Sequence, residues 1–308
     1  MGKKFSGVSQ TMSRFRGWIQ AGATLLTNLH LPNFLKGGLY QGAGKTVCVP
    51  GLNCYSCPAA SGACPIGAFQ AVVGSSKFSF SYYITGFLIL LGVLLGRFIC
   101  GFLCPFGWFQ ELLHKIPTKK LSTKRLKPLT YLKYAVLLVM VFLLPAFLVN
   151  DVGMGDPFFC KYLCPQGVLE GAIPLSLANS GIRAALGKLF TWKFSILLSV
   201  IALSVQFYRP FCKWLCPLGA FYALFNRVSL FQMKVDKNKC VSCGKCARAC
   251  KMDVDVTKTP NHTECIRCGM CIRACPTKAV CFRYGFGDGK DKAKAAETLQ
   301  TNNNNREE

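Results

Sequence analysis

Cysteine spacing constrains this chain more than any other feature in it. Four times the sequence writes Cys-Pro-x-Gly, at Cys64, Cys104, Cys164 and Cys216. Three of these have a second cysteine four residues earlier, at Cys100, Cys160 and Cys212. At the first motif that position is Ala60, and Cys54 and Cys57 lie upstream instead. Apolar stretches at 80–99, 129–149 and 189–208 separate the motifs. Each matches the about 20 residues a helix needs to cross a bilayer. A shorter stretch, 18–31, contains Asn28 and His30 and reads as a first span or as an amphipathic helix on the surface. With 51% hydrophobic and 16% charged residues, the chain is neither an ordinary soluble domain nor a disordered one. Small disulfide-rich domains reach a comparable cysteine density, but without long apolar runs.

The formal charge of +24 is not accompanied by a nucleic-acid-binding motif. It follows the loops. With Arg97, Lys133 and Lys193 at the span ends counted to the adjoining loops, the N-terminal stretch and the loop after the second span hold twelve Lys and Arg, against seven in the other two loops. By the positive-inside rule both termini face the cytoplasm, and the basic run 115–127 meets anionic lipid. The motifs then alternate sides. Cys54, Cys57, Cys64, Cys160 and Cys164 fall outside; Cys100, Cys104, Cys212 and Cys216 fall inside. Residues 1–230 read as a membrane domain of two parallel halves, 14–125 and 126–230.

A cubane iron–sulfur cluster takes four thiolates. The inner motifs supply four, and the outer face supplies Cys160 and Cys164 plus two from Cys54, Cys57 and Cys64. One cluster at each face, shared between the halves, is the expectation. Zinc or a disulfide is the alternative for Cys-x-x-x-Cys, the disulfide on the outer side. A radical-SAM site needs a third cysteine where Gly107 stands. Proline after the cysteine suits the first position of a helix, whose free N–H groups then face an anion. The glycine permits close backbone approach.

The C-terminal segment repeats a second spacing. Cys240, Cys243, Cys246 and Cys250 are followed by Cys265, Cys268, Cys271 and Cys275 at the same intervals, with Pro276 after the last. This is the two-cluster bacterial ferredoxin spacing, in which the fourth cysteine of each run serves the other cluster. One set is Cys240, Cys243, Cys246 and Cys275; the other is Cys265, Cys268, Cys271 and Cys250. Lys251 stands where a proline is usual after Cys250. Lys245, Arg248, Lys251, Arg267 and Arg273 surround the segment, either to tune potential and meet an acidic partner or as a solvated face. Cys281 reads as packing, and Cys48 as packing or a spare outer ligand. Residues 231–284 form the expected ferredoxin domain, and 285–308 a disordered polar tail.

In combination these motifs resemble the NapH/MauN-type membrane ferredoxins, and the membrane halves of NosR-type and CcoG-type proteins are similar. The resemblance covers roughly 14–283. It implies that Cys100, Cys104, Cys212 and Cys216 are the paired membrane motifs and the eight ferredoxin cysteines cubane ligands. It also implies electron transfer between the quinone pool and redox enzymes, as one subunit of a larger assembly. The additional Cys160/Cys164 pair and the Cys54/Cys57/Cys64 group depart from the family and suit a wire across the bilayer. The FMN-bearing region of NosR-type proteins has no room here.

The expected molecule is an α-helical membrane protein of about four transmembrane helices in two parallel repeats, with a small α+β two-cluster ferredoxin domain on the cytoplasmic side. It holds two 4Fe–4S clusters in that domain and one or two more in the membrane. It passes single electrons between a cytoplasmic ferredoxin, flavodoxin or other redox protein and quinone or an extracytoplasmic acceptor. Its partners are lipid and a membrane or extracytoplasmic redox subunit, with no nucleic acid. As an enzyme component it is the electron-transfer part of an oxidoreductase such as a quinol dehydrogenase. The alternatives are a redox-sensing regulator and a maturation factor that supplies electrons to a metalloenzyme. His30, His114 and His262 are scattered, and only His30 suggests itself as a quinone contact.

Overall fold

A computed structural model describes residues 2–75, 81–150 and 154–285. The start of the second expected span, at Phe80, and the polar tail beyond Gly285 lie outside the described residues. Two helices are long and apolar enough to cross a membrane: Arg125–Phe147 and Lys188–Gln206. The second, of 19 residues, rises about 28 Å. The remaining apolar helices of the membrane part are shorter, among them Pro65–Gly74, Tyr82–Leu95 and Gly167–Ala178.

The first expected span, 18–31, is instead one short helix, α2 (Arg16–Thr27), which follows α1 (Gly2–Arg14) and ends before Asn28. At 12 residues α2 rises about 18 Å, short of the about 30 Å of hydrocarbon. Its polar side faces the protein. Arg16 Nε and Gln20 Nε2 donate to the Gly101 carbonyl at 2.9 and 3.0 Å, while Trp18 and Leu26 stay exposed. This is the amphipathic alternative, set by Arg16 and Gln20 needing partners inside. Pro65–Gly74 (α3) and Tyr82–Leu95 (α4) follow, then the short α5 (Phe98–Phe102) and α6 (Pro105–His114). The second half repeats the order with α7 (Arg125–Phe147), α8 (Gly167–Ala178), α9 (Lys188–Gln206), α10 (Pro210–Trp214) and α11 (Pro217–Phe225).

The C-terminal unit is closed by an antiparallel pair, β1 (Phe231–Val235) and β2 (Val280–Tyr284), in register from Phe231 against Tyr284 to Val235 against Val280. It does not hang free below the membrane part. Phe98 and Phe102 on α5 enter its core: Phe98 meets Phe231 at 4.6 Å between ring centroids, and Phe102 meets Phe282 at 6.4 Å. From the other side, Ser9 Oγ on α1 accepts from the Phe282 N–H at 3.0 Å.

Buried ion pairs lock this docking. Arg97 Nη1 lies 3.0 Å from Glu264, and Lys133 pairs with the same carboxylate. Lys213 lies 3.1 Å from Asp253. Arg97 and Lys133 count among the cations of the basic loop, yet both are fully buried. Arg267, expected to tune a cluster or face solvent, is also buried. It donates to the Leu95 and Asn226 carbonyls and to Ser229 Oγ, each at 2.7 Å. Satisfied cations of this kind hold two units in one geometry, and removing a single partner strands a charge.

Glu264→Gln should therefore cost about 3–5 kcal/mol, because Arg97 and Lys133 lose their shared anion. Limited proteolysis should then release the C-terminal unit at protease levels that leave the parent chain intact.

Candidate metal centres

The four Cys-Pro motifs fold as their sequence suggests. Cys64, Cys104 and Cys216 are extended residues capping α3, α6 and α11, with proline at the first helical position. Cys164 is extended as well, but the helical turn resumes only at Gln166. At Cys216 the thiol accepts from the Gly219 N–H at 3.4 Å.

The motif glycines mark where the halves meet. A β-carbon built on Gly67 would lie 3.7 Å from Cys160 Sγ, and one on Gly167 would lie 3.7 Å from Cys54 Sγ. On Gly107 it would meet the Arg209 guanidinium at 2.8 Å, and on Gly219 that of Arg97 at 3.5 Å. In each case the neighbour belongs to the other half of the chain.

The inner set, Cys100, Cys104, Cys212 and Cys216, is buried and gathers from both halves. Burial pushes the Cys104 thiol up to about 12, with Cys212 and Cys100 adding to the effect. Burial also holds Cys216 well above the usual thiol range, with Cys212, Cys100 and Cys104 adding to it. Two arginines clasp the set reciprocally. Arg97, three residues before Cys100, donates to the Cys212 carbonyl at 3.4 Å, and Arg209, three before Cys212, donates to the Cys100 carbonyl. Arg209 is balanced by Glu111 at 2.8 Å, a carboxylate that Arg16 also holds.

Of the outer candidates, Cys54, Cys64, Cys160 and Cys164 share a cavity of about 520 Å³, together with Cys48, Asn53, Gln166 and Lys193. Burial raises Cys164, and Cys160, Cys54 and Cys64 raise it further. Cys57 is absent from this lining; its thiol donates to Asn28 Oδ1 at 3.5 Å. Cys48 reaches the cavity wall without belonging to a repeated motif. His30 stacks on Tyr40 with ring centroids 3.6 Å apart.

Cys240, Cys243, Cys246 and Cys275 line a single pocket. Cys271 is raised by burial, then by Cys268, Cys265, Cys250 and Cys246. The cysteines of the described residues are all free thiols. Among the described residues no three Cys, His, Asp or Glu side chains converge tightly enough for a single metal ion. A cubane asks for something else, because each of its irons takes one thiolate and the ligand sulfurs stand further apart. Four buried thiols with N–H groups aimed at sulfur suit that group better than zinc.

The expectation of one cluster at each bilayer face needs correcting. A β-carbon on Gly51 would lie 2.8 Å from Cys104 Cα. Cys54, three residues on, is already in the outer cavity. Three residues of extended chain span at most about 11 Å. The two sets thus sit well short of the about 30 Å of hydrocarbon apart. The loop 48–54 turns inward between them because Tyr222 Oη donates to the Pro50 carbonyl at 3.1 Å. The ferredoxin unit is equally close to the inner set. A β-carbon on Gly101 would lie 2.2 Å from the Ile266 carbonyl oxygen and 3.7 Å from Cys268 N.

Residues that sequence reading passed over stand six positions after each Cys-Pro cysteine. Gln70 bonds to Cys160 and Gln110 to Cys212; Glu170 accepts from the Cys54 N–H at 3.0 Å, and Tyr222 reaches Pro50. All four cross to the opposite half. The signal was present as a repeated offset, but the residue types differ.

The 4Fe-4S binding domain profile matches residues 62–82, 79–124, 133–173 and 189–238, and the 4Fe-4S dicluster domain profile matches 232–276. An uncharacterized protein of Methanocaldococcus jannaschii is 32% identical over 209 residues, covering 65% of this chain and 77% of that protein. The methylamine utilization ferredoxin-type protein MauN of Paracoccus denitrificans is 26% identical over 187 residues, covering 60% of this chain and 56% of its own. The regulatory protein NosR of Stutzerimonas stutzeri is 27% identical over 168 residues, covering 52% of this chain and 21% of its own. The chain thus spans about half the length of MauN and about a fifth of NosR. No solved structure matches. With cysteines set out in repeated quartets and both profiles falling on them, the chain belongs to the MauN/NosR-type family of 4Fe–4S ferredoxin-like proteins.

Proposed function

We propose that this protein is a membrane-bound relay for single electrons, running through four 4Fe–4S clusters. Its ends are a cytoplasmic carrier and either quinone or an extracytoplasmic acceptor. The proposed ligand sets are Cys240, Cys243, Cys246 and Cys275; Cys265, Cys268, Cys271 and Cys250; Cys100, Cys104, Cys212 and Cys216; and Cys54, Cys64, Cys160 and Cys164. Bound clusters would supply the redox chemistry, and the chain would supply ligation, spacing and tuning.

The observation that carries this reading is the pair of backbone contacts at Gly101 and Gly51. They bring the ferredoxin unit against the inner set and the inner set against the outer one. With the sets this close, electrons would need no mobile shuttle within the protein. Lipid contact is supported by the two long helices. Only 28% of the apolar window in α7 and 17% of that in α9 is buried inside the chain, whereas the core helix of a soluble protein would be mostly covered. Leu138 and Leu198 are more than half exposed. The basic loop 115–127 supports placing the ferredoxin unit at the cytoplasmic leaflet.

The regulatory name of NosR favours one other reading, a redox sensor. Steady electron flux from reduced ferredoxin to a quinone analogue in proteoliposomes supports the relay. Clusters that bleach in air, with no such flux, would favour the sensor.

Anaerobically purified chain should contain about 16 iron atoms, four for each of four cubanes. About 8 would confine the clusters to the ferredoxin unit. Cys100→Ser and Cys212→Ser should each delete the same EPR signal, since they come from different halves but one proposed cluster. Two different losses would refute the sharing. Cys57→Ser should retain full iron, and Cys54→Ser should not.

A further inference from the structure

Gln70 and Gln110 are fully buried amides at equivalent places in the first half, each six residues after a Cys-Pro cysteine. Each makes the same three bonds. Gln70 Nε2 donates to its own helix at the Ile66 carbonyl, 3.2 Å, and to Cys160 Sγ, 3.2 Å; its Oε1 accepts from the Phe159 N–H at 2.9 Å. Gln110 Nε2 donates to the Phe106 carbonyl, 3.3 Å, and to Cys212 Sγ, 3.1 Å; its Oε1 accepts from the Phe211 N–H at 3.2 Å. The direction of each amide is therefore dictated. Turning it over would set NH₂ against a backbone N–H and leave the helix carbonyl facing an oxygen. Both N–H donors of the amide are used, and one of the two acceptors is always a sulfur.

We propose that Gln70 and Gln110 are paired positioning residues that set the reduction potentials of the two membrane clusters, Gln70 for the outer and Gln110 for the inner. The inference rests on the ligand sets given above. Adding an electron makes a thiolate-bound cluster more negative. An N–H aimed at a ligand sulfur then gains energy in the reduced state, so the bond raises the potential. Burial removes water from competition for that sulfur, so the amide is its local donor. Since each donor comes from one half and each sulfur from the other, every potential also depends on how the halves are docked.

Across the pseudo-repeat the matching positions are Glu170 and Tyr222, which bond to backbone and not to sulfur. Each membrane set therefore receives this amide donor from one side only.

The test is an EPR-monitored redox titration of the full chain in detergent, with iron measured on the same samples. In Gln110→Leu the iron should be unchanged. At a fixed potential the reduced-to-oxidised ratio of the inner cluster should fall by about tenfold, a shift of about 59 mV for one electron. The outer signal should stay where it was. Gln70→Leu should give the mirror result. Gln110→Glu keeps the acceptor for Phe211 N–H but withdraws the donor, so it too should lower the inner potential with iron retained. Unmoved potentials with full iron would overturn the tuning role, as would a shift in the wrong cluster. Loss of iron in both Gln110→Leu and Gln110→Glu would also overturn it, leaving a purely structural amide. The ligand assignment fails separately, if Cys212→Ser leaves the inner signal intact.

Discussion

The structure depends on bringing thiols from two halves of one chain to shared points inside an apolar body. Buried thiolates repel one another and are poorly solvated, so such a gathering is unfavourable by itself. Iron would reverse that balance by supplying charge to each sulfur. The fold prepares for it with capping cysteines, prolines that start the next helix, and glycines that let the halves touch. Buried cations do the rest. Arg97 and Arg209 each reach the backbone of the partner motif, and each is neutralised by a carboxylate, Glu264 or Glu111.

The same interactions tie the ferredoxin unit to the membrane part. Glu264 lies in the ferredoxin segment, yet its two partners belong to the membrane helices. Phe98 and Phe102 sit two residues to either side of Cys100 and fill the ferredoxin core. Docking and the geometry of the inner set are therefore one property. A disturbance at either surface would be felt at the other, since close-packed interiors do not yield locally.

Much of the site was legible in the sequence because cluster ligation imposes short, repeated intervals. The doubled ferredoxin spacing specifies its own grouping, and the four Cys-Pro motifs specify helix starts. Contributions made by single residues at long range were not legible. Gln70 and Gln110 look like ordinary helix residues, Arg97 and Lys133 like loop cations, and Arg267 like one of several surface charges. Their roles appear only when the partner segment is in place. The choice among Cys54, Cys57 and Cys64 is of the same kind. Cys57 is removed by a turn that points it at Asn28, which no spacing rule encodes.

The first span and the separation of the clusters were misjudged for related reasons. Hydropathy counts apolar residues but does not see Arg16 and Gln20 anchoring α2 by its polar side. Topology rules place motifs on alternate sides but say nothing about a loop that turns inward, as 48–54 does beneath Tyr222. What the sequence alone determined is local: which cysteines can share a metal cluster, where short helices begin, and which stretches prefer lipid. What only the tertiary structure decided is how near those groups come to one another. Spacing along a chain is covalent and readable, whereas proximity across it depends on backbone contacts that glycine permits and buried ion pairs hold.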